Sequence, residues 1–154
     1  MNLKENNVKA FLNSRNITAE HYTFHQSCHS VQEAAEAVNA MAEDFVKNIC
    51  MIGPNNQLIV AIISGNDRAS TKRVGKSLDI ERPRLAEENE VFEKSGFPPG
   101  GVPSFGFQAT FLVDDKLIDK GYIYTGGGSE KSLVKIQMTD ILELNQAHIS
   151  RVRK

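Results

Sequence analysis

The chain has no tryptophan, and aromatic residues make up 7% of it. It has two cysteines, Cys28 and Cys50, too few and too far apart to form a disulfide framework. No run approaches the ~20 apolar residues of a membrane span. The first residues, Met1-Asn-Leu-Lys-Glu-Asn-Asn7, lack the apolar centre of a signal peptide. A cytoplasmic location with reduced thiols is expected. The formal net charge of −1 gives no global attraction to polyanions, so any such partner must be met by a local basic patch.

Five prolines and eleven glycines are unevenly spent. Three of those prolines and four of those glycines fall within Gly96-Phe-Pro-Pro-Gly-Gly-Val-Pro-Ser-Phe-Gly106. Proline fixes φ, and glycine lets another group approach the main chain. An ordinary connection needs one or two such residues. This segment has the character of a stiff loop forming the wall of a site.

The chain has 154 residues, of which 40% are hydrophobic and 24% charged, the make-up of an ordinary globular domain. Val8, Phe11, Leu12 and Ile17 mark an opening helix, and residues 21–25 a strand. Ser30-Val-Gln-Glu33 has capping-box spacing and opens a helix to Val38. Residues 45–52 and 58–63 form a hairpin about Gly53-Pro-Asn-Asn56. Helices follow over 69–78 and 85–94, then strands over 108–113, 120–124 and 133–138. A short helix capped by Thr139-Asp140 and a strand over 147–152 close the chain. The expected fold is α+β: one compact domain over 1–154, with a mixed, mostly antiparallel, barrel-like sheet flanked by helices.

Lys47 interrupts an otherwise apolar strand. It is either a strand-end lysine reaching solvent or an ammonium held in a pocket for an anionic or carbonyl oxygen. Gly126-Gly-Gly128 is either a flexible turn or a nest of backbone donors. His21, His25 and His29, with Cys28 nearby, match no standard zinc spacing, and no metal or other cofactor is expected. Ser104 has no recognisable base to activate it, which leaves a serine hydrolase as a rival reading. Lys72, Arg73, Lys76, Arg82 and Arg84 form one cation-rich stretch, and Arg151 to Lys154 another. Each is a solvated face or a phosphate contact.

Together these residues resemble the YbaK/prolyl-tRNA synthetase-associated domain family. The matching string runs through Ser30-Val-Gln-Glu-Ala-Ala35, Val46-Lys47, Gly65-Asn-Asp-Arg68, Lys72 to Leu78, Leu85-Ala86 and Ser95 to Gly106. It continues through Val113-Asp114, Gly126-Gly-Gly128 and Thr139-Asp140. The resemblance implies a free-standing trans-editing deacylase, which hydrolyses the ester of a small mischarged amino acid from tRNA(Pro). It implies mischarged tRNA as partner, prolyl-tRNA synthetase as a further one, and a monomer or weak homodimer. The rival of another class is a non-catalytic module binding tRNA ends or nucleotides.

By the same resemblance Lys47 is the essential lysine. Gly100, Gly101, Val102, Pro103, Ser104, Phe105 and Gly106 line the substrate pocket, with Gly127 and Gly128 beside it and His25 following the first strand. Lys72, Arg73, Lys76 and Arg84 would meet tRNA phosphates. The backbone N–H groups of both glycine loops would polarise the ester carbonyl. The chain departs from its relatives at Ser104, where many have proline, and at Asn48, where many have threonine. Cysteine-specific relatives carry an acid near Glu130 and Lys131. The Ser104 hydroxyl is expected to favour a polar substrate side chain.

Overall fold

Leu58–Ser64 is buried at every position. A strand covered on both faces reads as an unbroken apolar run, and this one lies at the centre of the larger sheet. The computed structural model describes residues 2–28 and 30–154. In chain order the elements are α1 (Leu3–Ser14), β1 (Glu20–Thr23), α2 (Val31–Val38), β2 (Val46–Ile52), β3 (Leu58–Ser64) and α3 (Thr71–Leu78). Then come β4 (Arg84–Leu85), α4 (Glu88–Ser95), β5 (Thr110–Asp114), β6 (Tyr122–Gly126), β7 (Ser132–Gln137), α5 (Met138–Asn145) and β8 (His148–Ser150). No described helix is long and apolar enough to cross a membrane.

Two sheets form, ordered β4-β2-β3-β5-β8 and β1-β7-β6. Pairing is mostly antiparallel, with β5 parallel to both β3 and β8. One face of the larger sheet, with Met51, Ile59, Ala61, Ile63 and Leu112, packs on Val74 of α3 and on Val152. The other face carries Cys50, Val60, Ile62 and Val113 into the main core. That core also holds Val8 and Leu12 of α1, Ile123, Val134 and Ile136 of the smaller sheet, and Ile141 of α5. The sheets meet where a bridge joins Phe45 to Tyr124. The result is the mixed α+β architecture expected, as two sheets around a shared core.

Local boundaries differ in informative places. Leu85 does not open a helix. With Arg84 it extends the larger sheet beside Met51 and Ile52, and α4 begins only where the Glu90 carboxylate reaches back to the Glu87 N–H at 3.0 Å. Met138 opens α5 instead of ending a strand, its N–H donating to Gly121 O at 2.9 Å. The strand expected over 120–124 lies two residues later, so Gly126 belongs to β6 and pairs with Leu133.

Asp114, fully buried at the end of β5, fixes the C-terminal segment. Its Oδ1 accepts the N–H groups of Val152 and Arg153 at 2.9 and 3.1 Å, and its Oδ2 accepts Arg153 Nη1 at 2.7 Å. Burial pushes its pKa up, but these donors outweigh that and leave it below the ordinary value. A lowered carboxyl pKa contributes stability that is complete above the unfolded value of ~3.9 and is lost as pH falls through the folded value. Asp114→Asn should cost about 3 kcal/mol in urea unfolding at pH 7, since it uncouples a buried charge pair. The stability gap between variant and wild type should shrink on acidification below about pH 4. An equal gap at pH 7 and pH 3 would remove the ionised carboxylate from the account.

Candidate functional site

β3 occupies one edge of β2 along its whole length, while β4 occupies the other only at Met51 and Ile52. The Phe45 carbonyl accepts from Gly65 on the β3 side, and the Cys50 carbonyl accepts from Ala86 on the β4 side. Alternation along the strand therefore turns the backbone groups of Val46 and Asn48 outward, away from β3. A cleft of about 210 Å³ opens there, between this free edge and β6. Val46 to Ile49, Pro99, Gly100, Val102, Tyr124 to Gly126, and Ser30, Val31 and Ala34 near the start of α2 line it, with Cys28, Phe45 and Leu133.

Lys47 stands in this cleft, half-buried. Its Nζ donates to the Asp67 carbonyl at 2.8 Å, in the loop between β3 and α3. The Asp67 carboxylate is taken by Lys116 at 2.9 Å. Among the described residues no carboxylate pairs with Lys47. An ammonium has three donors, so one carbonyl orients it and leaves donors and charge for an incoming oxygen.

Asn48 holds the wall together. Its Nδ2 donates to Val102 O and to Thr125 Oγ1, both at 2.9 Å, and its Oδ1 accepts the Ser104 hydroxyl at 2.6 Å. Ser104 Oγ also lies 2.7 Å from Thr125 Oγ1. With the Ser104 proton committed to Asn48, Thr125 is the donor in that pair, and the three side chains close a ring of hydrogen bonds. The Ser104 carbonyl accepts Asn145 Nδ2 at 2.6 Å.

The two glycine loops are joined by their backbones. Gly128 N–H donates to Gly101 O at 2.9 Å, Gly127 N–H to Ser132 O at 3.2 Å, and Gly101 N–H to Pro98 O at 2.9 Å. A Cβ on Gly126 would lie 2.2 Å from Val102 O, and one on Gly101 2.6 Å from the Ser129 backbone. His21 Nε2 donates to Gly127 O at 2.9 Å. These N–H groups are structural, contrary to the expectation that both loops offer them to a carbonyl. Gly100 differs. It lines the cleft as the second residue of a short 3₁₀ turn that opens on Pro99, so its N–H has no partner within the turn.

Of the residues expected to line the pocket, the cleft therefore gathers Lys47, Gly100 and Val102. Gly101, Pro103 and Ser104 are buried behind its surface. Ser104 is fully buried, so its hydroxyl neither meets a substrate side chain nor serves as a nucleophile. Phe105 and Gly106 face a separate groove of about 550 Å³ against α1, where the Phe105 ring stacks on Phe11 at 5.7 Å. Gly127 and Gly128 are buried beside the cleft. His25 is exposed and lies away from the cleft. His29 lies outside the described residues. Glu130 and Lys131 are exposed and do not line the cleft, although the Glu130 carbonyl accepts the N–H of Cys28, which does. Cys28 does line the cleft, but burial, and secondarily the charge of Glu33, pushes its thiol pKa up, which keeps it protonated.

Lys72, Arg73 and Lys76 project from α3 into another groove, of about 440 Å³, completed by Arg82 and Lys154. Arg84 does not join them. Its guanidinium is held by both oxygens of Glu90 at 2.7 Å. Asn48 stood out in the sequence only as a departure from relatives, and Thr125 not at all; the one signal for Thr125 is a polar residue facing the core on an apolar strand.

A sequence model of the aminoacyl-tRNA editing domain family matches residues 25–144. The protein YwhH of Bacillus subtilis (strain 168) is 23% identical over 124 residues, which span 79% of this chain and 78% of that protein. The proline–tRNA ligase of Pseudothermotoga lettingae is 28% identical over 86 residues, 56% of this chain but 15% of the ligase. Among solved structures, the hypothetical protein APE2540 superposes with a TM-score of 0.89 at 25% identity, covering 96% of this chain and 99% of that one. A candidate trans-editing enzyme for prolyl tRNA synthetase superposes with a TM-score of 0.88 at 23% identity, covering 100% and 99%, a likeness of fold.

The hydrogen-bonded ring makes a direct prediction. Ser104→Ala removes the donor to the half-buried Asn48 Oδ1 and the acceptor of the buried Thr125 hydroxyl, and should lower stability by about 1–3 kcal/mol in urea unfolding. An unchanged midpoint would show that the ring contributes nothing to the wall.

Proposed function

The chain belongs to the aminoacyl-tRNA editing domain family, and on that footing we propose that it is a trans-acting deacylase removing a small mischarged amino acid from tRNA, with tRNA(Pro) as the preferred carrier. The observation that carries this reading is Lys47, which lines a small cleft and whose ammonium is oriented by one carbonyl and unpaired with any described carboxylate. The names of the ligase and of the candidate trans-editing enzyme support the choice of tRNA.

An aminoacyl ester is already activated, so cleavage asks mainly for a fixed carbonyl, stabilisation of its developing charge and a positioned attacking group. Lys47 Nζ is the cation for the ester region or the terminal phosphate, and the Gly100 N–H, with the outward-facing Asn48 N–H of β2, is a backbone donor at the cleft. Among the described residues the cleft has no activated nucleophile of its own. The Cys28 thiol is held protonated, Thr125 is engaged in the ring, and Ser30 caps α2, its oxygen accepting Glu33 N–H at 3.1 Å. Attack therefore falls to water or to a group on the substrate itself. With water, addition at the carbonyl carbon gives a tetrahedral oxyanion, the C–O bond to ribose breaks, and the ribose oxygen leaves with a proton. A volume of about 210 Å³ is below the ~300–1,000 Å³ of pockets for larger ligands, which favours a small acyl group.

Lys72, Arg73 and Lys76, with Arg82 and Lys154, are the proposed contact for acceptor-stem phosphates. Lys76→Ala should raise KM for mischarged tRNA and reduce the slope of log K against log salt by ~1, with kcat kept. Arg84→Ala should leave both unchanged. Equal effects from the two substitutions would remove the α3 groove from the interface.

The decisive measurement is loss of each ester from a panel of mischarged tRNAs. Lys47→Ala should lower deacylation by about 10²–10³ while the unfolding transition stays in place. Unchanged turnover by a folded Lys47→Ala protein would exclude lysine from the mechanism. Binding of tRNA without ester loss by the wild type would make the protein a binding module.

A further inference from the structure

The chain contains three tyrosines, and all of them lie on the smaller sheet. Register places Tyr22 opposite Leu133, Tyr124 opposite Lys135 and Tyr122 opposite Gln137. Alternation puts these residues on the outer face, while Ile123, Val134 and Ile136 fill the core behind. The rings form a track. Phe45 in the cleft wall lies 4.9 Å from Tyr124, Tyr124 lies 6.4 Å from Tyr22, and Tyr22 lies 6.3 Å from Phe24. Lys135 Nζ stands 5.4 Å from the centre of the Tyr122 ring and 5.9 Å from that of Tyr124. The apolar side of α2 packs at the Leu133 end of this face. Beyond it Tyr122 is 53% exposed.

Cross-strand pairing explains Tyr124 opposite Lys135. With its diagonal reach it also explains the cation beside Tyr122, but not a track that runs from that half-exposed ring into the cleft through Tyr124 and Phe45, both of which line it. An ester at the end of a tRNA enters that cleft by way of unpaired nucleotides. Ring faces interleaved with a lysine are the chemistry that takes up single-stranded bases and phosphates. Building on the editing reading, we propose that the outer face formed by Tyr22, Tyr122, Tyr124 and Lys135 is the platform on which the unpaired 3′ nucleotides of the tRNA stack, with Lys135 meeting a phosphate. Glu20, across from Lys135, has its carboxylate engaged by the Tyr22 hydroxyl.

The absence of tryptophan supplies the test, since intrinsic emission comes from these three rings alone. The intact protein is titrated with a single-stranded RNA hexamer ending in CCA, and separately with a blunt duplex of the same sequence. The single strand should quench tyrosine emission saturably, and the duplex should not. Tyr122→Ala should weaken hexamer binding about tenfold, and Tyr122→Phe should keep it. Lys135→Gln should also weaken binding and reduce the salt slope by ~0.7. Both weakened variants should raise KM for mischarged tRNA at unchanged kcat, with unfolding midpoints as the control for folding.

Unquenched emission at saturating hexamer, no saturable binding, or unchanged affinity in both variants overturns the platform. Deacylation that persists alongside any of those results leaves the editing reading standing. Quenching by the hexamer in a protein that cleaves no mischarged tRNA keeps the platform and overturns that reading instead.

Discussion

The side-chain amide of Asn48 ties together three parts of the chain at one point. It extends from β2 of the larger sheet to the Val102 carbonyl in the Gly/Pro loop and to Thr125 on β6 of the smaller sheet, while its oxygen receives Ser104. β2 needs such a tie because β4 covers only the end of its outer edge. Beyond β4 the smaller sheet comes alongside β2, touching it at the Phe45–Tyr124 bridge and at Asn48–Thr125, and the cleft lies along that junction. A ring whose buried Ser104 and Thr125 hydroxyls have their bonds made is nearly neutral in net stability, but one left half-satisfied is costly, so the ring resists any change in how far apart the sheets stand.

The second constraint is the back-to-back contact of the glycine loops. Gly126 and Gly101 each pack where a Cβ would meet backbone, and the Gly128 N–H closes onto Gly101 O. Behind them Glu5 of α1 accepts hydroxyls from Thr23 at 2.6 Å and Ser129 at 2.7 Å. Burial pushes the Glu5 pKa up, but those two bonds, with the charges of His21 and Lys9, bring it below the ordinary value. A buried carboxylate thus anchors the second loop to the first helix. A wall held this way is rigid, but it has spent most of its donors on itself. On the deacylase reading, the polar groups left for a substrate are the Lys47 ammonium, the Gly100 N–H and the outward-facing backbone of β2.

This division explains what the sequence revealed and what it concealed. Lys47 was legible because a charge in an apolar strand needs a reason, and the Gly/Pro loop was legible because its composition exceeds the needs of a turn. The orientation of the loop was not legible. Its middle, at Pro99, Gly100 and Val102, faces the cleft, while both ends turn to a different groove, which Gly96, Phe97, Phe105 and Gly106 line and where Phe105 meets Phe11 of α1. Such a reversal depends on tertiary partners, which local pattern does not encode. Ser104 looked reactive or selective because it stands in that loop, but its hydroxyl is committed to a partner 56 positions away in the chain. Arg84 looked like one cation among five until Glu90, drawn back to start α4, captured it.

On the deacylase reading, these constraints also decide the form that selectivity takes. A wall whose donors are internally satisfied offers little to attract a particular side chain. It excludes by volume, because widening the cleft would mean stretching the Asn48 ring or parting two backbones already in contact. Exclusion by size rejects larger acyl groups far more sharply than smaller ones, since a missing methylene loses only about 1–3 kcal/mol of contact. Preference among small amino acids must then come from outside the acyl pocket, from whichever surfaces hold the nucleic acid that carries the ester. Identity of the carrier, read along the α3 groove or the outer sheet face, supplies the information that the acyl pocket is too plain to hold.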